Sequence, residues 1–374
     1  MISVGIDVAK GKSTVCILKP YGEIVSRPFD ISHVEKDLGE LAAMLLRFDD
    51  EVKVVMEATG IYHLPVLTYL QEKGLFVAVI NPYLMKVYRS GDLRKAKTDK
   101  IDSRIIANYG IEHWFTMAEF KASGDVYGEL KMLGQQYRHY MKLHIMSLHE
   151  LTHLLDYTMP GLKGMLASWN EGNRKDKLSD FVERFWHYDM ITCLSETEFI
   201  KQYTFWAKEK KYHQSQDKAK AIYALAREGI PTLSSETPSV KMLVTEAVRV
   251  LKEVDATLSI ILSRMQELAK SLPEYSVVRG MGGVGEVLAP KLIAEIGDVR
   301  RFHSGKALIA YAGIDTPPYE SGQFVGSNRK ITKRGSAALR KVGYETMRCI
   351  KTHPRPDDPV YQYIVKKESE RSEE

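Results

Sequence analysis

Two heptad seams constrain the fold more than any other feature of this 374-residue sequence. In each, mostly apolar residues alternate spacings of four and three, which gives one continuous stripe only on an α-helix. The first seam contains Leu130, Gly134, Tyr137, Met141, His144, Leu148, Leu151 and Leu155. The second contains Val244, Ala247, Leu251, Val254, Leu258, Ile261, Met265 and Leu268. They predict two long helices, which either form a packed core pair or a coiled coil that also builds an oligomer.

The seams belong to a middle region, 123–272, that is predicted to be almost wholly helical. Between them, residues 160–235 form a predicted insert of shorter helices. Its aromatic residues are Trp169, Phe185, Trp186, Phe205 and Trp206. This composition indicates an all-α part of the chain with its own apolar contacts.

The first 122 residues have a different pattern, with strand and helix signals in alternation. Strands are predicted at 3–7, 12–18, 23–29, 52–57 and 75–80, and helices at 34–48, 64–74 and from Thr98 onward. Three antiparallel strands followed by β-α units predict an α/β domain with a mixed sheet. The opening GIDVAKGKST is not a P-loop, because Gly5 lies one residue too far from Gly11 and strands follow it.

The C-terminal part completes the predicted organisation. Residues 273–352 are rich in glycine and basic residues and predict a small, mainly helical domain. Residues 353–374 form a polar tail, whose end KKESERSEE is expected to be disordered.

Composition excludes several classes of protein. The chain is 44% hydrophobic and 27% charged, as globular proteins are, and its net charge is +5. No apolar run of about 18 residues and no signal peptide are present, which argues against a membrane span or secretion. Cys16, Cys193 and Cys349 have no CxxC spacing, which argues against disulfides or a cysteine zinc site and suits a reducing cytoplasm.

Four carboxylates are the candidate metal ligands. Asp7 ends the first predicted strand and Glu57 ends the fourth, while Asp99 and Asp102 share one face of a helix that Thr98 can cap. If the two strands are neighbours, all four acids converge, and hard divalent cations would relieve their repulsion. Two Mg²⁺ ions would suit phosphodiester chemistry. The alternative is four solvated surface acids.

Basic residues surround Asp99 in the sequence, which suits contact with a nucleic-acid backbone. They are Lys86, Arg89, Arg94, Lys95, Lys97, Lys100 and Arg104. A solvated charged face is the alternative interpretation.

Two further motifs resemble known sites. HELTH, at His149 to His153, matches the zincin pattern, but the neighbouring seam predicts that both histidines point away from the core. GMGGVG fails the dinucleotide-binding context and instead predicts a helix-hairpin-helix, in which the amides of Gly282 and Gly285 would hold a phosphate. A plain turn between helices is the alternative.

The segment 319–341 predicts a phosphate-binding loop that contains a candidate nucleophile. Cations of the kind that stabilise a phosphate under attack by a hydroxyl follow Ser321. They are Arg329, Lys330, Lys333, Arg334, Arg340 and Lys341. From the residues alone, Ser327 and Ser336 are equally good candidates.

Together these segments resemble the DEDD-type insertion-sequence transposases, which include the Piv DNA invertases and the bridge-RNA-guided recombinases. The resemblance covers nearly the whole chain and is most specific at KTDKIDS and at SG…ITKRG. RGMGGVG is longer and richer in glycine than the usual turn of the family.

The resemblance implies a RuvC-like, RNase H-type domain with the acids Asp7, Glu57, Asp99 and Asp102, and a transposase domain with the nucleophile Ser321. It also implies Mg²⁺, DNA and possible guide RNA as partners, a coiled coil that helps to form a dimer or tetramer, and a bacterial or archaeal cytoplasm, at the nucleoid. The rival interpretations are a RuvC-like nuclease without serine chemistry, a non-catalytic nucleic-acid-binding protein and a HELTH metalloprotease.

Overall fold

The computed structural model of the chain divides into two compact units, Met1–Ala122 and Ser123–Glu374. It describes residues 1–89, 98–120, 125–166, 176–316, 320–321, 324–325 and 330–372. At 125, 320–321, 324–325 and 371–372 it describes the backbone alone. Among the helices of these residues, none has the length and hydropathy needed to cross a bilayer.

A five-stranded mixed sheet is the centre of the first unit. Its strands are β1 (Ile2–Val8), β2 (Lys12–Leu18), β3 (Ile24–Ser32), β4 (Val52–Glu57) and β5 (Phe76–Ile80). The order is β3-β2-β1-β4-β5, with antiparallel pairing among the first three strands of the chain and parallel pairing of β4 with β1 and β5. The predicted mixed sheet is therefore confirmed, and β1 and β4 are neighbours.

The α-helices among the described residues of this unit are α1 (Glu35–Leu45), α2 (Leu64–Glu72), α3 (Pro82–Arg89) and α4 (Asp99–Glu112). α4 lies directly on the sheet at two glycines. A Cβ on Gly5 would lie 2.2 Å from the carbonyl oxygen of Ser103, and one on Gly110 would lie 2.2 Å from Ser3 Oγ. The missing side chains let helix and sheet approach at backbone distance, which fixes the position of α4 along β1.

An antiparallel pair of long helices, α5 (Asp125–Thr158) and α11 (Pro238–Lys270), organises the second unit. Leu151 and Leu155 share a core with Val244 and its neighbours, whereas Leu130 lies in another core with Leu258 and Met265. All residues of both seams are buried or half-buried. The predicted packed core pair is therefore present, because the two seams face each other within one chain. Between the two cores, His144 Nδ1 lies 2.8 Å from Asp255 Oδ1.

The insert between these helices packs against the C-terminal part of α5 and the N-terminal part of α11. It contains α6 (Leu162–Leu166), α7 (Lys177–Arg184), α8 (Asp189–Thr192), α9 (Glu196–Glu209) and α10 (Gln216–Glu228). Its aromatic core includes Phe185 and Trp186, as the composition suggests, but Phe205 is 64% exposed. Trp169 lies outside the described residues.

The C-terminal elements follow α11. They are α12 (Glu274–Gly280), α13 (Leu288–Ile296), α14 (Gly305–Ala312), β6 (Glu320–Ser321), β7 (Phe324–Val325), α15 (Ala337–Thr352) and α16 (Pro359–Ser372). Residues from α12 to α15 share one hydrophobic cluster with α5 and α11. The parts predicted as 123–272 and 273–352 are thus joined by a common core.

The expectation of a disordered end is wrong for residues 366–372, because α16 extends to Ser372. Asp358 caps this helix by accepting from Val360 N at 2.8 Å, and Tyr361 and Ile364 pack on the shared cluster. Glu368 also pairs with Lys351 of α15 at 2.5 Å. Polar composition predicted disorder, but two apolar residues one turn apart are enough to anchor the helix.

Candidate active site and nucleic-acid contacts

Parallel pairing of β1 and β4 brings the first two acids together. Ile6 and Met56 are register partners, so Asp7 and Glu57 follow at adjacent positions on neighbouring strands. Parallel strands present such positions on the same side of the sheet. The condition that the sequence left open, adjacency of the two strands, is therefore met.

Helix α4 brings the other two acids to the same end of the sheet. It runs antiparallel to β1, since Gly110 lies against Ser3 and Ser103 lies against Gly5. Its first turn therefore lies near Asp7. The predicted cap is confirmed, because Thr98 Oγ1 accepts from Ile101 N at 3.3 Å. Asp102 is buried, at 5% exposure, whereas Asp99 is exposed.

The four carboxylates interact electrostatically. The pKa of Asp7 is raised to about 6, chiefly by burial and then by the negative charges of Asp102, Asp99 and Glu57, while the positive charge of Arg89 opposes this shift. A carboxyl whose pKa is raised by three other acids marks a place where negative charge is concentrated. Asp102, Asp99 and Glu57 therefore lie near enough to Asp7 to affect its ionisation.

Arg89, at the end of α3, lies between two of these acids. Its Nη2 is 3.2 Å from Glu57 Oε2 and 3.7 Å from Asp102 Oδ1. The sequence pointed to Arg89 only as one of several basic residues, because no helix was predicted at 82–89. The available signal was Asn81-Pro82, since Tyr83 N donates to Asn81 Oδ1 at 2.8 Å and proline suits a first helical turn.

The donor set fits a hard divalent cation, because it consists of carboxylates that repel one another. Within the described residues, however, no three Asp, Glu, His or Cys side chains converge closely enough to coordinate an ion. The guanidinium of Arg89 lies beside Glu57 and Asp102 as a counter-ion.

The predicted nucleic-acid contacts near the acids are only partly described. Lys100 and Arg104 are exposed on α4. Arg94, Lys95 and Lys97 lie outside the described residues. The two described cations are accessible on the same helix as Asp99 and Asp102.

Ser321 lies in a two-stranded hairpin of the second unit, where its backbone pairs with Phe324. The segment that contains it is closed at its base by Asp315 and Thr332. Thr332 Oγ1 donates to Asp315 Oδ1 at 2.5 Å, and Thr332 N donates to Asp315 O at 3.0 Å. We call this pair of bonds the clasp.

Three cations lie next to Thr332 of the clasp in the sequence. Lys330, Lys333 and Arg334 are exposed, and Arg329 lies outside the described residues. Lys333 has φ +55°, a conformation that costs a non-glycine residue about 1 kcal/mol or more. Its amide donates to Gly313 O at 2.9 Å, so the strained backbone is held against the end of α14.

Ser336, one of the alternative nucleophiles, has a structural role. It is the N-cap of α15, and its hydroxyl accepts from Leu339 N at 3.1 Å. A capping hydroxyl is already oriented by the helix, and its loss typically costs about 1 kcal/mol of stability. Ser327 lies outside the described residues. Ser321 and Ser327 therefore remain as candidate nucleophiles.

The glycine-rich turn between α12 and α13 differs from the expected open phosphate site. Gly282 N donates to Asp358 Oδ2 at 2.7 Å, and this bond helps to lower the pKa of Asp358. A carboxylate of the chain therefore occupies the place that a phosphate would take on this amide. Gly285 is exposed and would accept a Cβ without contact.

The HELTH side chains lie away from the helix seam, as predicted. His149, Glu150 and His153 are exposed. His153 Nε2 lies 3.2 Å from the hydroxyl of Tyr157, which is one turn further along α5.

Comparison with known proteins adds a family resemblance at both ends of the chain. Residues 4–160 match the family of DEDD transposases of the IS110 type, which is described as "Transposase". Residues 275–362 match a second family, described as "Transposase IS116/IS110/IS902 family". The Streptomyces clavuligerus "Insertion element IS116 uncharacterized 44.8 kDa protein" is 21% identical over 362 residues, which are 96% of this chain and 87% of that protein.

Two solved structures of RuvC from Thermus thermophilus are similar to about a third of the chain. The protein alone covers 32% of this chain and 100% of its own, with 16% identity and a TM-score of 0.25. The complex with a Holliday junction substrate covers 32% and 99%, with 15% identity and a TM-score of 0.24. These TM-scores are too low to establish a common architecture.

Proposed function

Because the chain belongs to the IS110 family of DEDD transposases, enzymes that act on DNA, we propose that it cuts and rejoins DNA at the ends of an insertion sequence. Asp7, Glu57, Asp99 and Asp102 are the proposed metal ligands, and Ser321 is the proposed nucleophile. The observation that carries the acidic half of this proposal is the pairing of β1 with β4, which puts Asp7 and Glu57 at adjacent positions on neighbouring strands.

Mg²⁺ is the proposed cofactor, with two ions as the expected number. Bound there, it would polarise the phosphate and stabilise the charge on the departing oxygen. The residues of the chain supply the rest of the site. Asp7 and Glu57 stand on paired strands, Asp102 is buried beside them, and the close contact at Gly5 holds α4 in place. Rigid elements keep such ligands at a fixed separation, which metal geometry requires.

The serine step is a transesterification. The hydroxyl oxygen of Ser321 forms a bond to phosphorus, the bond from phosphorus to one deoxyribose oxygen breaks, and the serine proton is transferred to that departing oxygen. The product is a phosphodiester between serine and DNA, and reversal on a different DNA hydroxyl rejoins the strands. Lys330, Lys333 and Arg334 would hold the phosphate under attack, with Arg329 as a fourth cation.

Trapping the covalent protein–DNA adduct tests this chemistry. We expect wild type with Mg²⁺ and element-end DNA to give an adduct that survives denaturing electrophoresis, and Ser321→Ala to give none. Ser336→Asn is the matched control, because asparagine can replace serine as an N-cap and is not a nucleophile. It should keep both the melting temperature and the adduct.

The same experiment separates the rivals. Strand cleavage without any adduct in wild type would support a nuclease that uses water. An adduct that persists in Ser321→Ala would make Ser327 the next residue to change. Binding without cleavage in wild type and in Asp102→Ala alike would support a non-catalytic nucleic-acid-binding protein.

A structured RNA from the non-coding end of the element is the proposed guide. Its support is the resemblance to the bridge-RNA-guided recombinases and the net charge of +5. The test is to purify the protein from cells that carry the whole element and to sequence the RNA that remains bound. A protein free of RNA that recombines at full rate would contradict the guide. The proposed location is the bacterial or archaeal cytoplasm, at the nucleoid, where the DNA is.

A homodimer or homotetramer is the proposed assembly. Because the seams of α5 and α11 are used within the chain, an oligomer would need the outward residues of this helix pair. Several of these are exposed and apolar, among them Met132, Met146 and Ile260. Light scattering on the purified protein would measure the assembly, and Ile260→Lys should weaken it if this face is used.

A further inference from the structure

A small basic pocket lies where α5, α13 and α15 meet, and it shares Lys341 with the basic segment that follows Ser321. Its volume is about 210 Å³, and it is lined by Arg138, Lys142, Lys291, Lys341 and Glu345 among others. Sites for drug-sized ligands usually measure about 300–1,000 Å³. The pocket is therefore suited to one small group rather than to a large organic molecule.

The charges around this pocket do not balance. Glu295 neutralises Arg138, and Glu345 is shared between Lys291 Nζ at 3.3 Å and Lys341 Nζ at 3.9 Å. Lys142 forms no ion pair with any side chain in the described ranges. Among these side chains, four cations thus face two carboxylates, so positive charge exceeds negative charge around the pocket.

The walls of the pocket are rigid. Lys291 lies over the ring of Tyr137, 5.5 Å from its centre, and Tyr137 is 2% exposed. One turn before Arg138, a Cβ on Gly134 would lie 3.3 Å from Ala294 Cβ, so α5 and α13 are in close contact. Lys291 and Arg138 are therefore held in place before any ligand arrives, which reduces the entropy lost on binding.

The first turns of α15 form the third wall. Ala338 and Lys341 line the pocket, and the helix begins at Ala337, directly after the basic segment with Lys333 and Arg334. The N-terminal end of a helix carries partial positive charge. This partial charge adds to the charge of the four cations. Through α15, the pocket is continuous in the sequence with Lys333 and Arg334.

We propose that this pocket binds one phosphate of a nucleic-acid backbone, and so anchors the DNA or its RNA guide at a distance from the reacting phosphate. The size, the unbalanced charge and the continuity with the basic segment all suit a phosphodiester. The inference rests on the proposed function, which supplies a nucleic acid as the ligand. DNA and RNA present the same phosphodiester group to the pocket.

Salt-dependent binding tests the pocket. The variant Lys142→Gln/Lys341→Gln removes its two exposed charges, and Lys218→Gln/Lys220→Gln on α10 is the matched control with two exposed lysines elsewhere. A fluorescein-labelled DNA duplex and a fluorescein-labelled RNA hairpin are titrated by anisotropy between about 50 and 200 mM salt. Equal melting temperatures of the two variants would exclude a folding effect.

We expect the pocket variant to bind at least one probe roughly fivefold more weakly than the control at low salt. Loss of one phosphate contact should also reduce the slope of log affinity against log salt by about 0.9 for duplex DNA. An effect on one probe alone would identify its source as DNA or RNA. Glu345→Gln should have the opposite sign, with tighter binding, because it removes a carboxylate from the pocket.

Two outcomes would overturn the inference and are distinguishable. If the pocket variant and the control bind both probes with equal affinity and slope while wild type binds well, the pocket is not a phosphate site and the proposed function stands. If wild type itself binds neither probe, the proposed function fails together with the pocket.

Discussion

The acidic cluster and the segment that contains Ser321 are built in opposite ways. The acids stand on a paired strand edge and on a helix that touches the sheet at backbone distance. The serine segment is held by the clasp at its base and by the strained Lys333 against α14. In the first case regular structure fixes the side chains, whereas in the second a few bonds fix the ends of a connection.

This difference has a physical reason. Metal ligands must keep their separation, so they gain from a position where a whole helix and sheet resist displacement. Residues that hold and attack a phosphate gain from a loop, where backbone and cations can surround the substrate. The two regions should therefore respond differently to single substitutions.

The largest effect is expected for Gly5→Ala. Its Cβ would lie 2.2 Å from Ser103 O and 2.3 Å from Ala107 N, which are backbone atoms, so α4 must move away from β1. We expect a loss of about 3 kcal/mol of unfolding free energy, measured by denaturant titration. Displacement of Asp102 should also lower strand cleavage by about a hundredfold.

Gly343→Ala is the control for this substitution. Gly343 is in α15 and has open space around its Cβ position, so alanine should stabilise the helix by up to about 1 kcal/mol. Cleavage by Gly5→Ala within twofold of wild type would show that close contact between α4 and β1 does not position the acids.

A smaller effect is expected when the clasp is broken. Asp315→Ala removes the bond from Thr332 Oγ1 but leaves the backbone bond, so the stability cost should be about 1 kcal/mol. Adduct formation should fall roughly tenfold, because the ends of the segment are less well held.

Asp298→Ala serves as the comparison for the clasp. The carboxylate of Asp298 accepts bonds from the amide and the guanidinium of Arg300, two residues away, so it holds only its own turn. This variant should form adduct at the wild-type rate. Equal adduct rates for the two variants would contradict a role of the clasp in the reaction.

The third effect concerns stability and pH. The raised pKa of Asp7 means that the folded protein holds this proton between pH 3.8 and about 6, while the unfolded chain does not. Folding stability due to Asp7 therefore falls as pH rises through this window and is constant above it. Asp7→Asn lacks this loss, so without metal its melting temperature should exceed that of wild type by about 3 °C at pH 7.

At pH 4 the two proteins should melt together, because Asp7 is then neutral in the folded wild type. A melting-temperature difference that is the same at pH 4 and pH 7 would contradict the assignment of the shift to Asp7.

The smallest effect is expected for His153→Ala in HELTH. The side chain is exposed, and its contact is with Tyr157 on the same helix, so the cost should be below about 0.5 kcal/mol with recombination unchanged. Elemental analysis is the check. Stoichiometric zinc in wild type that is lost in this variant would restore the metalloprotease interpretation.

Much of the local structure could be predicted because its causes are local. Alternating and β-branched residues predicted all five strands of the sheet, Thr98 predicted the start of α4, and the heptad spacings predicted two long helices. Each of these signals lies within the segment that it describes. The adjacency of Asp7 and Glu57 was predicted only as a condition, since strand order depends on pairing between segments that are 50 residues apart.

What the tertiary structure decided lies in contacts between distant segments. Only folding places Arg89 between Glu57 and Asp102 and puts the carboxylate of Asp358 on the amide of Gly282. Gly282 looks like a free phosphate-binding amide in the sequence, because an amide does not reveal its partner there. The sequence determined which groups are present and which helices and strands hold them. The fold decided which of those groups are already hydrogen-bonded, because a bond such as the one from Gly282 to Asp358 joins residues 76 positions apart that no local pattern connects.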